Sequence, residues 1–117
     1  MNRGEIWLVN FDPTIGSEIK KTRPAILLSG QPFNRLRRTL VVVPVSSAHD
    51  QTEFPLLIAI RSGGRPAVAV IDQIKAAARE RFIRKLGVIS TAELEQINLK
   101  TAVEMAERNE RRRKERS

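Results

Sequence analysis

With one histidine, His49, and no cysteine in 117 residues, the chain lacks the side chains that most often carry hydrolytic chemistry. A lone imidazole supplies neither the paired ligands of a typical zinc site nor a two-histidine acid–base relay. Without cysteine there is no thiolate nucleophile, disulfide framework or cysteine-bound zinc. No G-x-x-x-x-G-K-[ST] loop, G-x-G-x-x-G turn or G-x-S-x-G elbow occurs either. What remains is arginine, carboxylate and hydroxyl. That set still permits cleavage of RNA, because the substrate brings its own nucleophile, the 2′-OH. Attack on the adjacent phosphorus asks for a base to take the 2′ proton, a cation for the charge on the phosphoryl oxygens, and a proton for the departing 5′ oxygen. Arginine meets the second demand well, since its planar fork makes two hydrogen bonds to a phosphate and keeps its charge.

Arg23 is the best placed candidate. It stands where a polar, basic segment (residues 14–22, TIGSEIKKT) enters an apolar run, which would combine a rigid anchor with access to solvent. The plainer alternative is a surface arginine at a strand start. Glu18 lies in the same segment and could act as base or orient a substrate, although a loop carboxylate is ordinarily just solvated. Lys20, Lys21 and Thr22 complete the segment as substrate-binding candidates. Ser46 and Ser47 follow the most apolar stretch of the chain, so their hydroxyls and backbone N–H groups could hold a phosphate at its end; a plain turn is the alternative. Asp72 and Gln73 interrupt another apolar run, where polar side chains need a partner or a role. Such residues more often fasten loops than perform chemistry. Trp7 reads as core rather than as a base-stacking platform, and His49 reads as a loop residue. Aromatic residues make up only 4% of the chain, against a binder that relies on stacking, and Phe33 and Phe54 are the two near loops.

The elements that must position these residues read mainly as strands. Glu5 to Phe11 is β-rich and ends at the turn-forming Asp12-Pro13 pair. Arg23-Pro24 opens AILLS, with the proline where its missing N–H costs least. Thr39 to Val45 (TLVVVPV) is apolar throughout, which predicts burial on both faces, with Pro44 at an edge or a bulge. Phe54 to Ile60 and Ala67 to Ala77 complete five strands, with Gly63-Gly64 as a turn. Ser90 followed by Glu93 is a capping-box signature, and Leu94, Ile97, Thr101, Ala102 and Met105 recur at helical spacing. These predict one long helix, from about Thr91 to Arg108. Five strands and a helix in one small core favour a small antiparallel SH3-like barrel in a single domain, residues 1–108, followed by a basic C-terminal tail, residues 109–117.

The formal net charge is +8 and the isoelectric point about 11.0, a balance that attracts phosphate backbones without reading their sequence. Part of it sits in the terminal run Arg108 to Arg116, the kind of segment that is commonly a solvated tail. The rest of the chain stays basic without it. No stretch approaches the roughly 20 apolar residues of a membrane span, and the N-terminus lacks the apolar core of a signal peptide. A cytoplasmic location is the expectation.

Five segments in order, Arg3 to Glu18 (RGEIWLVNFDPTIGSE), Lys21 to Ser29 (KTRPAILLS), Val41 to Ser47 (VVVPVSS), Ala69 to Lys75 (AVIDQIK) and Gly87 to Ile97 (GVISTAELEQI), resemble those of the MazF/PemK toxins over almost the full length. The resemblance implies an SH3-like barrel homodimer that cuts single-stranded RNA at a short sequence without metal or other cofactor. It also implies a cognate antitoxin whose acidic, disordered C-terminal tail fills the RNA groove. The family's catalytic arginine falls on Arg23, stabilising phosphoryl charge with a further role open in protonating the leaving group. Its hydroxyl position after the third strand falls on Ser46, and its loop glutamate on Glu18 as a base. The acid of PemK-like members falls on Asp72, but the arginine they carry two positions earlier is Val70 here. The gyrase-binding CcdB poisons share the barrel and provide the alternative, non-catalytic reading.

Overall fold

The computed structural model of the protein describes residues 1–11, 22–31, 33–47, 57–62 and 65–116, and for 47, 57–62, 65, 72 and 116 the backbone alone. The strands are β1 (Glu5–Asn10), β2 (Thr22–Leu27), β3 (Thr39–Ser47), β4 (Leu57–Ser62), β5 (Arg65–Val70), β6 (Lys75–Ala78) and β7 (Phe82–Val88). The helices are α1 (Phe33–Leu36) and α2 (Thr91–Arg116), and single 3-10 turns cover Ile71–Gln73 and Arg79–Arg81. All pairs are antiparallel, in the order β4-β5-β3-β2-β1-β7, with β6 also on β3. The edge strands β4 and β7 touch without sharing a ladder among the described residues. The architecture is therefore the expected barrel-like antiparallel sheet with a C-terminal helix, left open along one seam.

β3 is the centre of the design. Leu40 and Val42 face one buried cluster with Val9, Ala25, Leu27 and Ala77. Val43 and Val45 face another, with Ile6, Ile26, Leu28, Ala69, Ile71, Ile74 and the α2 residue Ile97. Residues 40–45 are apolar without a break because alternate side chains enter different layers, both dry. β1 and β2 alternate in the same way, so burial fixes their registers against a one-residue slip.

Both prolines of the central strands sit where the ladder is interrupted. β2 pairs with β3 only from Ala25 inward, leaving Pro24 beyond that ladder. Pro44 is fully buried, but it falls between the segment of β3 that pairs with β6 and the segment that pairs with β5. A residue without an N–H fits a position with no ladder partner on one side.

The structure departs from the sequence-based layout in four places. The run Ala67 to Ala77 is two strands, with Asp72 and Gln73 in the 3-10 turn at the corner and Ile71 and Ile74 buried on either side of them. Breaking the strand there leaves Gln73 exposed rather than buried. β7 and α1 form in segments to which the sequence reading assigned no element. α2 runs on past Arg108 to Arg116, so the basic tail is helical.

The helix begins as its sequence predicts. The Glu93 N–H donates to Ser90 Oγ at 3.1 Å, and the Ser90 N–H donates to Glu93 Oε1 at 2.9 Å, closing the capping box in both directions. Upstream, Gly4 takes φ +91°, a left-handed conformation that favours glycine. There its N–H donates to Leu27 O at 2.8 Å and its carbonyl accepts from the Ile89 N–H at 2.9 Å. One residue thus fastens β1 to the segments leaving β2 and entering α2.

Candidate active site

Arg23 is an exposed residue of β2, paired with Val9 of β1. The β2–β3 ladder runs Leu27–Val42, Ile26–Val43, Ala25–Pro44 and then stops. Carried two residues further, that register sets Arg23 across from Ser46. Position 46 instead pairs with Val68 of β5, so β3 leaves β2 for β5 and the two strands part where these residues stand. Arg23 shares a strand face with Ala25, and Ser46 shares one with Pro44, by the two-residue repeat. A guanidinium and a half-buried serine position thus flank the opening between two parting strands.

A cleft of about 230 Å³ lies at this opening, lined by Phe11, Arg23, Pro44, Gln73 and Lys75. Lys75 Nζ sits 4.3 Å from the centre of the Phe11 ring, a cation–π contact that holds the ammonium at the cleft wall. Two cations on a small concave surface favour an anionic ligand. A larger hollow of about 550 Å³, between α2 and the segment from Leu28 to Phe33, shares no residue with the cleft and is mostly apolar, with Leu28, Phe33, Val41, Ile74 and Met105 in its wall. Its size favours it; its chemistry does not, because among its described lining residues Arg3 is the single cation.

Of the residues singled out in the sequence, Arg23 and Gln73 line the cleft, and Ser46 lies on the strand face that leads out of it. Thr22 is the first residue of β2, half-buried and paired with Asn10. Ser47 is a backbone position on β3 opposite Ala67, and Asp72 is the middle residue of the turn that delivers Gln73. Glu18, Lys20, Lys21, His49 and Phe54 lie outside the described residues. Trp7 packs as core, its ring edge-on to Phe82 at 6.0 Å and its indole N–H donating to Glu5 Oε1 at 2.9 Å. Phe33 is away from the cleft, beneath the Arg37 guanidinium at 5.1 Å.

Sequence reasoning missed Phe11 and Lys75. Phe11 carries one signal, as the last apolar residue before the Asp12-Pro13 turn and hence a rim position. Lys75 carries none alone, because only the corner at Ile71–Gln73 turns the start of β6 toward β1. Also missed was Glu5, a buried carboxylate on the opposite stretch of β1. Burial alone would raise its pKa. The Asn2 N–H at 3.0 Å, the Trp7 indole and the Lys85 ammonium at 3.2 Å outweigh that and hold the carboxyl below its ordinary value.

Residues 2–103 match the family model described as PemK-like, MazF-like toxin of type II toxin–antitoxin system. Among curated proteins, the chain is 39% identical over 106 residues to the endoribonuclease MazF9 of Mycobacterium tuberculosis, covering 84% of this chain and 90% of that one. It is 34% identical over 101 residues to the endoribonuclease toxin MazF of Escherichia coli K12, covering 86% and 89%. Among solved structures, MazF from Deinococcus radiodurans superposes with a TM-score of 0.77 at 22% identity, over 91% of this chain and 96% of that one. A mycobacterial endoribonuclease in complex with its cognate antitoxin superposes at 0.72 and 18% identity, over 91% and 95%. At those identities the structures speak for the fold alone.

Proposed function

The chain belongs to the PemK-like, MazF-like toxins of type II toxin–antitoxin systems, and from that premise we propose that it is an endoribonuclease cleaving single-stranded RNA, mRNA included, at a short sequence without a metal ion. The observation that supports the reading is the cation-lined cleft that opens where β3 parts from β2, with Arg23 in its wall and Ser46 two residues beyond Pro44 of that wall. The scissile phosphate lies between them. The 2′ oxygen attacks phosphorus as its proton leaves to a base, and the bond to the 5′ oxygen breaks as that oxygen takes up a proton. The products are a 2′,3′-cyclic phosphate and a 5′-hydroxyl. Arg23 neutralises the charge that grows on the phosphoryl oxygens, a role suited to a guanidinium, which keeps its proton near neutral pH. Ser46 positions the phosphate by hydrogen bond, and Glu18 is our candidate for the base. Lys20, Lys21, Thr22, Ser47, Asp72 and Gln73 hold the flanking nucleotides. The attacking oxygen belongs to the substrate, so no metal-activated water is needed.

In this reading the partners are the RNA, a second copy of the chain and a cognate antitoxin whose acidic C-terminal tail competes for the basic groove. The names of the antitoxin-bound neighbours support the antitoxin. Exposed apolar side chains on β7 and α2, Ile83, Val88, Leu99 and Val103, support a homodimer, since such residues commonly mark an association surface. No described helix is long and apolar enough to cross a membrane, and the place of action we assign is the cytoplasm, where mRNA is translated. A gyrase-binding role is not favoured, because the named relatives are endoribonucleases.

The test is incubation of the purified protein with unstructured RNA in excess chelator. The expected result is discrete fragments carrying 5′-hydroxyl ends. Intact RNA with chelator and cleavage without it would overturn the metal-free reaction.

A further inference from the structure

The region matched by the family model stops at residue 103, yet α2 continues to Arg116. Those last 13 residues carry the helix about 20 Å further at 1.5 Å per residue. They hold Arg108, Arg111, Arg112, Arg113, Lys114 and Arg116 against the carboxylates of Glu104, Glu107, Glu110 and Glu115. Glu104 is buried at 3% exposure and accepts from Arg108 Nε at 2.8 Å and from Arg111 Nη2 at 3.5 Å. A buried carboxylate holding arginines one and two turns further along the same helix supports the start of the extension as helix.

Past that pair, Arg112, Arg113 and Lys114 are exposed in succession, so cations face solvent on more than one side of the helix, open to a polyanion. Five of the six cations are arginine, the residue whose fork fits phosphate by two hydrogen bonds. After Met105 no side chain of the extension is both apolar and larger than that of Ala106. A protein groove or a bilayer would find no apolar anchor there, whereas a phosphate chain needs none.

We propose that the helical extension, residues 108–116, is a second RNA-binding element outside the cleavage cleft, gripping the phosphate backbone of the substrate without regard to sequence. This rests on the reading of the chain as an RNA-cutting enzyme and adds to it a surface that sets affinity rather than chemistry. RNA longer than the cleft requires reaches both surfaces at once, and the second contact raises the local concentration of the first.

The experiment compares the full chain with a variant carrying Arg112→Gln, Arg113→Gln, Lys114→Gln and Arg116→Gln, both bearing Arg23→Ala so that the RNA survives. Binding of a fluorescent 20-nucleotide uridine oligoribonucleotide is titrated from 50 to 200 mM salt. Glutamine keeps helix propensity, and circular dichroism checks that the helix persists. If it does not, the single substitution Arg112→Glu is read instead and should move binding in the same direction. Single-stranded RNA gives a slope of about 0.7 per neutralised phosphate, so loss of two to four contacts flattens the salt dependence by about 1 to 3. The parent's advantage at 50 mM then shrinks about 4- to 60-fold by 200 mM. Equal slopes and equal affinities overturn the proposal, as does a variant that loses binding to polyglutamate but not to RNA, which would make the extension a dock for acidic protein. Cleavage by the protein with Arg23 intact is measured separately. Cutting with unchanged slopes removes only the extension's role, and a changed slope with no cutting removes the ribonuclease reading.

Discussion

Arg23 holds the least replaceable position in this site, because strand pairing on one side only leaves its guanidinium rigidly based and open to solvent. Replacing it by alanine removes the charge that we propose meets the phosphoryl oxygens and leaves the β1–β2 ladder in place. The expected loss of cleavage rate is about 10²- to 10³-fold with an unchanged melting temperature; cleavage within threefold of the parent would refute the assignment. Glu5 makes a different prediction, about stability. Its carboxyl is held below the ordinary glutamate value of about 4.5, so the stabilisation it gives is fully present above that pH. It is lost as the pH falls through the lower, folded-state value. Glu5→Gln should therefore cost about 1 kcal/mol at pH 7, and its stability should be less sensitive to acid below pH 4.5, as followed by urea denaturation across pH. Parallel acid profiles for the two proteins would show that the Asn2, Trp7 and Lys85 contacts do not stabilise the charged form.

Among the elements, α2 depends on its reciprocal cap. Ser90→Ala leaves the Glu93 N–H without its side-chain acceptor and should lower unfolding free energy by about 1 kcal/mol, read from the denaturation midpoint; no shift would mean the cap is redundant with packing by Leu94 and Ile97. The capping box was legible in the sequence because Ser90 and Glu93 are local to each other. The two-sided burial of Thr39 to Val45 was legible for the same reason. What escaped was set by contacts distant in sequence. Asp72 and Gln73 interrupt the run through residues 67–77 but do not by themselves specify a corner at Ile71–Gln73, which exists because β5 and β6 both pair with β3 at different heights. β7 shows three exposed residues in succession, Ile83, Arg84 and Lys85, so its pattern has no clean alternation to betray a strand. Of the site, Arg23, Ser46 and Gln73 could be singled out from residue type and boundary position. Phe11 and Lys75 could not, since they meet only once β1 and β6 are folded onto the same opening.

At the scale of the whole molecule, a net charge of +8 makes long-range attraction to RNA an attribute of the entire surface, while the chemistry we propose is confined to one cleft. That division explains why basicity alone said little: the same charge would serve a binder with no activity. What distinguishes an enzyme is the convergence of a fixed guanidinium and a hydroxyl position on a place where a backbone phosphate fits. The most direct test of that claim removes the nucleophile from the substrate and leaves the protein untouched. Once the cleaved position in an RNA oligonucleotide is mapped, the nucleotide immediately 5′ of the break is replaced by its 2′-deoxy counterpart. The account predicts that the oligonucleotide still binds within a fewfold of its parent and is no longer cut at that position. Undiminished cleavage there would contradict it, because the attacking oxygen would then have come from elsewhere.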